Sequence, residues 1–213
     1  LLFRPSQSSV AQALAPHTFA PHTLAPHTFA HSASRVTMIC GIALRDAVAE
    51  VAGVLTALKW PNDLIVMAGD TVWRKIGGML SDIGSWGQDS DFIVVGIGLN
   101  VNVPARRLTS LAPHATSLWV EAGRRVDRVA LLDRFLAHAD RYYQRFCAGW
   151  DPYSVWLPHL AWMGQQVRVH TPHRVWEGVI EGVDEEGALQ LRLSNGEIHH
   201  FTAGDVTLRS GDG

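Results

Sequence analysis

Ala57-Leu58-Lys59-Trp60-Pro61-Asn62-Asp63-Leu64-Ile65-Val66-Met67, followed closely by Val72-Trp73-Arg74-Lys75-Ile76-Gly77-Gly78-Met79-Leu80, is the stretch on which the fold turns. Residues 57–60 and 64–67 are short apolar runs broken by Pro61 and Asn62, and such runs read as strands rather than helices. Ala68-Gly69-Asp70 is a turn signal. Residues 72–83 and 92–103 extend the pattern to four closely spaced strands, with a polar, Gly-containing hairpin loop over 84–91. The expectation is a mostly antiparallel sheet with a helix against one face. That helix lies upstream, over 36–52, where Val36, Ile39, Cys40, Ala43, Ala47 and Val51 follow three/four spacing. A second helix is expected at 127–147, with Asp127 as N-cap and Leu132, Phe135, Leu136, Ala139, Tyr143 and Phe146 as its apolar stripe. Residues 151–160, with Trp156 and Leu157, read as a short helix or turn.

From Gln165 the pattern changes to short β-runs at 167–169, 175–180, 188–193, 197–201 and 206–208. Asp184-Glu185-Glu186-Gly187 and Ser194-Asn195-Gly196 are turns between them, and Asn-Gly is a strong hairpin signal. About 45 residues of this kind make a small barrel of the SH3 type. The fold class expected is therefore α+β: a mixed, mostly antiparallel sheet with helices packed on it, plus a small C-terminal SH3-like β-barrel.

The chain has 213 residues, which at a typical ~150 residues per domain means one domain with an appendage, or two small ones. Hydrophobic residues at 47% and charged residues at 18% suit a packed globular chain and exclude a wholly disordered one. The net charge is 18 − 20 = −2, without the basic excess of a non-specific nucleic-acid binder. Basic residues cluster only as adjacent pairs such as Arg74-Lys75, Arg106-Arg107 and Arg124-Arg125. Cys40 and Cys147 are too few for a disulfide framework or a four-thiolate zinc site, so a reducing cytoplasm is the default. No signal-peptide pattern and no run of about 18 apolar residues is present, so no membrane span is expected. Leu1-Leu2-Phe3-Arg4-Pro5 reads as the end of a buried strand, and the expectation is that an upstream part has been lost.

Residues 14–30 hold a repeat of period five: Ala15-Pro16-His17-Thr18, Ala20-Pro21-His22-Thr23 and Ala25-Pro26-His27-Thr28. A Pro in each unit argues against a continuous helix. His17, His22, His27 and His31 suggest metal ligands, but five residues rotate a helix by ~500°, so successive imidazoles would face different sides. No Cys or carboxylate accompanies them. The segment 14–31 reads as a flexible surface insert.

Three segments carry chemistry: Lys59-Trp60-Pro61-Asn62-Asp63, Lys75-Ile76-Gly77-Gly78-Met79-Leu80 and Gly96-Ile97-Gly98-Leu99-Asn100-Val101-Asn102. In this order they resemble the biotin protein ligase family (biotin–[acetyl-CoA-carboxylase] ligases). Ala115-Thr116-Ser117-Leu118, followed by Glu121 and Gly123, resembles the family's next segment, and the terminal β-runs its last domain. The resemblance runs over about 33–209 and again over 1–5, leaving the repeat outside. It implies a class II synthetase-like ligase catalytic domain at 1–160, interrupted by the insert at 14–31, and a terminal barrel at 164–210. It also implies a two-step, ATP-dependent reaction. Biotin's carboxylate attacks the α-phosphorus of ATP to give biotinyl-5′-AMP and pyrophosphate. A lysine of a biotin carboxyl-carrier domain then takes the biotinyl group and AMP leaves. ATP, Mg²⁺ and biotin are the implied ligands, a carrier domain the implied partner, and a homodimer is compatible with it; neither nucleic acid nor membrane is expected as a partner.

Two anions must be brought together in such a site, so a fixed cation is required. Lys75, entering a Gly-Gly strand, resembles the family's lysine at biotin's carboxyl end and the α-phosphate, and takes the catalytic, biotin-binding and nucleotide-binding roles. Gly77 and Gly78 are expected to expose backbone to biotin's ureido ring, with Trp60 beside the ligand as part of an apolar wall. Asn62 and Asn100 are the expected nucleotide contacts, since an amide both donates and accepts along one base edge. Asp63 either holds Mg²⁺ through water or orients an incoming lysine amine; Asn62 and Asp63 also suit a plain turn. Lys59 could be a structural ion-pair member. The family's Gly/Arg-rich phosphate-and-biotin loop is absent from the sequence, as are the Ser-Thr-rich segment upstream and an N-terminal helix-turn-helix. The chain is therefore expected to make little biotinyl-AMP by itself. The alternatives are a lipoate-type ligase and a non-catalytic remnant that binds a carrier domain.

Overall fold

The computed structural model describes residues 2–3, 26–68, 72–85, 91–108 and 114–208 of the chain. Strand β1 (Leu2–Phe3) and helix α1 (Pro26–Ala52) precede β2 (Ala57–Lys59), β3 (Asp63–Ala68), β4 (Val72–Ser85) and β5 (Asp91–Leu99). These strands form one antiparallel sheet in the order β1-β5-β4-β3-β2. Strand β5 ends earlier than the sequence pattern suggested, because the Asn100 amide turns to the Ile76 carbonyl and Asn102 clasps both backbone groups of Val126. Helices α2 (Ala105–Leu108), α3 (Leu118–Ala122), α4 (Arg128–Cys147) and α5 (Tyr153–Trp156) follow, with a 3₁₀ turn at Leu157–His159.

The first helix begins ten residues earlier than its apolar spacing predicts. Pro26 stands at its first position, where the missing N–H has no intrahelical partner to lose, so Pro26-His27-Thr28 of the repeat and His31 are helical rather than part of a flexible insert. Repeat residues 14–25 lie outside the described residues. The helix is buried nearly all round: Val36, Ile39, Cys40, Ala43 and Ala47 are covered as expected, and so are Met38, Ile42, Leu44 and Val48. Sheet and α4 pack on it from two sides, and Asp46 accepts the Tyr142 hydroxyl across the helix pair at 2.6 Å. Cys40 is sealed within, and burial pushes its thiol up to about 12. It forms no disulfide with the exposed Cys147.

Asp127 caps α4 as expected, accepting the Val129 and Ala130 amides. The stripe that faces the core is Leu131, Phe135, Ala139 and Tyr142. Leu132 and Leu136, expected inside, are 56% and 41% exposed. Phe135 and Ala139 are buried as expected and Tyr143 and Phe146 pack against the core, but the helix is turned so that Leu131 and Tyr142 replace Leu132 and Leu136 on the inner face, with Tyr142 bonded to Asp46.

Strands β6 (Gln166–His170), β7 (Val175–Val183), β8 (Leu189–Arg192), β9 (Ile198–Phe201) and β10 (Asp205–Leu208) make a second antiparallel sheet in the order β10-β6-β7-β8-β9. Val167, Val169, Ile180, Leu189 and Leu191 fill its core. A bulge between Ile180 and Gly182 bends β7, and Trp176 stacks on His199 of β9 at 4.3 Å between ring centres. The sheet thus curls over its own interior. Among the described residues, no helix is long and apolar enough to cross a membrane.

Candidate active site

The polar centre of the larger sheet is a carboxylate between two lysines. Asp63 opens β3 opposite Lys59 of β2 and opposite Gly78 of β4. Its Oδ1 takes the Lys75 ammonium at 2.5 Å, and its Oδ2 lies 3.6 Å from the Lys59 ammonium. A register shift between Leu64 and Ile65 makes this meeting possible. Lys75 pairs with Ile65 and Gly77 with Leu64, so the extra residue Ile76 brings Lys75 round towards Gly78 and Asp63. A Cβ on Gly78 would stand 3.0 Å from Asp63 Oδ1 and 3.4 Å from Lys75 Cε. The glycine leaves the space the ion pair fills. At Gly77 a Cβ would meet the Gly98 carbonyl oxygen at 2.7 Å, so this glycine serves close contact between β4 and β5.

The two lysines differ. Lys75 is 46% exposed and Lys59 only 3%. Lys59 also pairs with Asp205 at the start of β10 and lies 5.0 Å from the centre of the Trp73 ring. It is an ion-pair member that joins the two sheets. Trp60 is buried beside it, and its indole N–H donates to the Gly187 carbonyl, 2.9 Å away in the β7–β8 turn. A cavity of about 190 Å³ opens at this seam, lined by Ser34, Thr37, Trp60, Asp63, Glu186 and Gly187 among others. Asn62 also lines it, but its amide donates to the Met79 carbonyl while the Met79 amide donates back to the Asn62 carbonyl.

Of the residues singled out in the sequence, Asp63, Lys75 and Gly78 form one cluster, Trp60 and Asn62 line the cavity beside it, and Asn100 and Gly77 stand along β4 outside the cavity lining. Asn100 donates its side-chain amide to the Thr116 carbonyl at 3.1 Å. One N–H and the side-chain oxygen remain for a base edge. Sequence reasoning quoted Arg74, Thr116 and Glu121 without giving them a role, and missed Asp205; these four hold the groups in place. Arg74 donates twice to Glu121, both at 2.9 Å, and the Thr116 hydroxyl donates to the same carboxylate. Burial pushes the Glu121 carboxyl up, but hydrogen bonds from Arg74 and Thr116 outweigh it and hold the group below its ordinary value. The adjacency of Arg74 to Lys75 was a usable signal. Nothing local marks Asp205, which lies 146 residues from Lys59.

Asp63 was also the expected Mg²⁺ ligand. A carboxylate with an ammonium against each oxygen has little charge to offer a divalent ion. Among the described residues no group of three His, Cys, Asp or Glu side chains gathers as a metal site. These residues do not fit a protein-held Mg²⁺.

The architecture defines an α+β domain with its polar cluster on an antiparallel sheet and a small β-unit docked beside it. Two family models match this chain: the Biotin/lipoate A/B protein ligase family over residues 10–153, and the Biotin protein ligase C terminal domain over 163–209. The chain belongs to the biotin/lipoate A/B protein ligase family. The match starts at residue 10 and takes in the repeat that the sequence reading left outside. The Bifunctional ligase/repressor BirA of Bacillus subtilis is 28% identical over 177 residues, 82% of this chain and 53% of the relative. The Biotin–[acetyl-CoA-carboxylase] ligase of Paracoccus denitrificans is 32% identical over 172 residues, 76% of this chain and 68% of the relative. The chain thus spans about half the length of the Bacillus protein. The solved biotin protein ligase from Aquifex aeolicus in complex with biotin and ATP shares the fold, with a TM-score of 0.64 at 22% identity over 84% of this chain and 72% of that one.

Proposed function

We propose that this chain is an ATP-dependent biotin protein ligase. In the first step a carboxylate oxygen of biotin attacks the α-phosphorus of ATP. The bond to the departing pyrophosphate breaks, leaving biotinyl-5′-AMP. In the second step the amine of a carrier-domain lysine attacks the acyl carbon. The bond to AMP breaks, and the nitrogen gives up its proton as the amide forms. Residues 1–160 hold the chemistry and 164–210 the barrel, in a cytoplasmic setting. The separate match to a biotin protein ligase C-terminal domain supports biotin over lipoate.

The observation that carries this reading is the half-exposed Lys75 ammonium, set by Asp63 over a residue with no Cβ. As the carboxylate reaches phosphorus, negative charge builds on the phosphoryl oxygens. A cation placed in advance stabilises that charge more than it stabilises the separate substrates, so it acts on rate as well as binding. Asn100, with its amide partly committed to Thr116, presents its remaining polar edge to the base. No step here runs through a metal held by the protein.

The test is biotinyl-5′-AMP formation under single-turnover conditions, with the chain in excess over labelled ATP. Lys75→Ala is expected to slow it by about 10²–10³-fold, the usual cost of one such electrostatic group. Lys75→Arg should rescue it only in part, because a planar fork does not replace a compact charge. Adenylation of lipoate in place of biotin, or a normal rate in Lys75→Ala, would overturn the reading.

A further inference from the structure

Strand β4 changes partner at Lys75. From Gly77 onward it pairs with β5, but β5 ends at Leu99 and cannot serve residues 72–76 on that side. The returning segment 114–116 takes its place. The Lys75 amide donates to the His114 carbonyl at 2.6 Å, the Thr116 amide donates to the Lys75 carbonyl at 2.8 Å, and the Asn100 amide donates to the Ile76 carbonyl at 2.7 Å. Thr116 is therefore a junction. Its N–H fixes the Lys75 backbone, its carbonyl orients the Asn100 side chain, and its hydroxyl is held by Glu121. Glu121 is anchored in turn by the two-pronged contact from Arg74, the residue before Lys75.

We propose that Glu121, clamped by Arg74, is a positioning residue for this site. Acting through Thr116, it holds the backbone under the phosphate-end cation Lys75 and the base-end amide Asn100 in one register. This rests on the nucleotide reading given above. Glu121 touches no substrate. Its carboxylate is largely covered, and both its oxygens are spent on Arg74 and Thr116. Its effect on a ligand therefore passes through the groups it aligns.

The experiment is a double-mutant cycle read by AMP binding, with amide hydrogen exchange of the unliganded chain alongside. Asn100→Ala removes the base contact, and a neutral amide–base hydrogen bond of this kind is worth about two- to tenfold in affinity. Glu121→Ala should weaken AMP by a similar factor. The double variant should lose less than the product of the two single losses, because the part of the Glu121 effect that passes through Asn100 is already gone and only the part through Lys75 remains. Glu121→Gln, which keeps an acceptor for Thr116, should recover part of the loss. Effects that multiply in the double variant, or normal AMP binding by Glu121→Ala, would overturn the proposal. Glu121→Ala should also speed exchange at the Lys75, Thr116 and Leu118 amides while those of β6–β8 keep their protection. Unchanged exchange at those three amides overturns the clamp by itself. If Glu121→Ala does not fold, Thr116→Val removes the hydroxyl link and carries the same expectations. A wild-type chain that binds no AMP would refute the nucleotide reading, while amide exchange still decides the clamp.

Discussion

Two five-stranded antiparallel sheets in this chain meet water and each other differently. The C-terminal sheet pairs β6 through β9 in chain order, brings β10 back beside β6, and encloses Val167, Val169, Leu189 and Leu191 completely. The larger sheet is covered by α1 on one face, and at the far end of β4 and β5 it leaves Leu80 72%, Ile83 48% and Val94 36% exposed. Its polar cluster is held from outside: by the segment around Thr116, by Glu121, and by Asp205 of the barrel. Both sheets pair four strands in chain order and add one distant strand at the edge, but only in the larger one is a polar cluster tied down by segments far away in sequence. That cluster is where we propose the chemistry. The C-terminal unit reaches it through the Asp205 carboxylate and the Gly187 carbonyl, among other contacts.

The largest effect should come from breaking the barrel's core. Leu189 is fully buried, and Leu→Ala at such a site costs about 3–5 kcal/mol. In Leu189→Ala, urea unfolding should show a large loss of stability. Hydrogen exchange should rise across β6–β9 and also at Lys59 and Trp60, which lean on Asp205 and Gly187. Core amides of α1 should stay protected. If Lys59 and Trp60 keep full protection, the two sheets are independent and the bridge between them contributes little.

The next test lies within the larger sheet and separates two adjacent glycines. Gly77→Ala drives a methyl to 2.7 Å from a backbone oxygen of β5, which only strand movement can relieve, so a cost of about 1–3 kcal/mol is expected. Gly78→Ala meets the ends of Asp63 and Lys75, which can rotate away. It should melt closer to wild type yet adenylate biotin more slowly, because the ammonium is displaced. Equal melting temperatures for the two variants would show that β4 and β5 are not tightly held at this point.

The same contrast explains what could be read in advance. All five barrel strands were visible from local apolar runs and from the Asn195-Gly196 turn, where Gly196 has φ of 87°. In the larger unit the strands and the Asp127 cap were also local, and Lys75 and Asp63 stood out as parts of quoted segments. The α4 face was legible only in part: Phe135 and Ala139 were read as inward, but Leu132 and Leu136 were taken where Leu131 and Tyr142 are buried, a rotation that the tertiary bond from Tyr142 to Asp46 accompanies. The start of α1 was misread because a Pro that blocks a helix interior is well suited to its first turn. Trp60 lines the cavity, and the bond from its N–H to the Gly187 carbonyl was not legible, because the partner lies far away in sequence. The shared use of Asp63 by two lysines could not be seen, since it depends on a one-residue bulge.

The smallest effect concerns acid, and it separates the two regions by the kind of bond each uses. Asp184, in the β7–β8 turn, accepts the Ala188 amide at 2.8 Å and the Glu186 amide at 3.1 Å, with the His200 ring 2.7 Å away. Burial pushes its carboxyl up, but bonds from His200 and these amides outweigh it and hold the group below the ordinary 3.8. Glu121 is held below the ordinary 4.5 by Arg74 and Thr116 against its own burial. The sign is the same for both. The unfolded carboxyl binds its proton first as pH falls, so the stabilisation is complete above the ordinary value and is lost through it towards the lower folded value. Between about pH 5 and pH 3, the protection of the Thr116 and Ala188 amides, relative to their intrinsic exchange rates at each pH, should therefore fall, Thr116 first. Salt divides them. In about 1 M salt the Debye length is ~3 Å, so the Arg74–Glu121 attraction weakens and so does that between His200 and Asp184, while the turn's own amide bonds to Asp184 hardly change. Thr116 should then lose protection at higher pH, and Ala188 should shift less, because its amide keeps its own bond to Asp184. Asp184→Ala should cost only about 1 kcal/mol, the net worth of a hydrogen bond. A salt response at Ala188 as large as that at Thr116 would mean that the barrel turn, too, is held chiefly by charge.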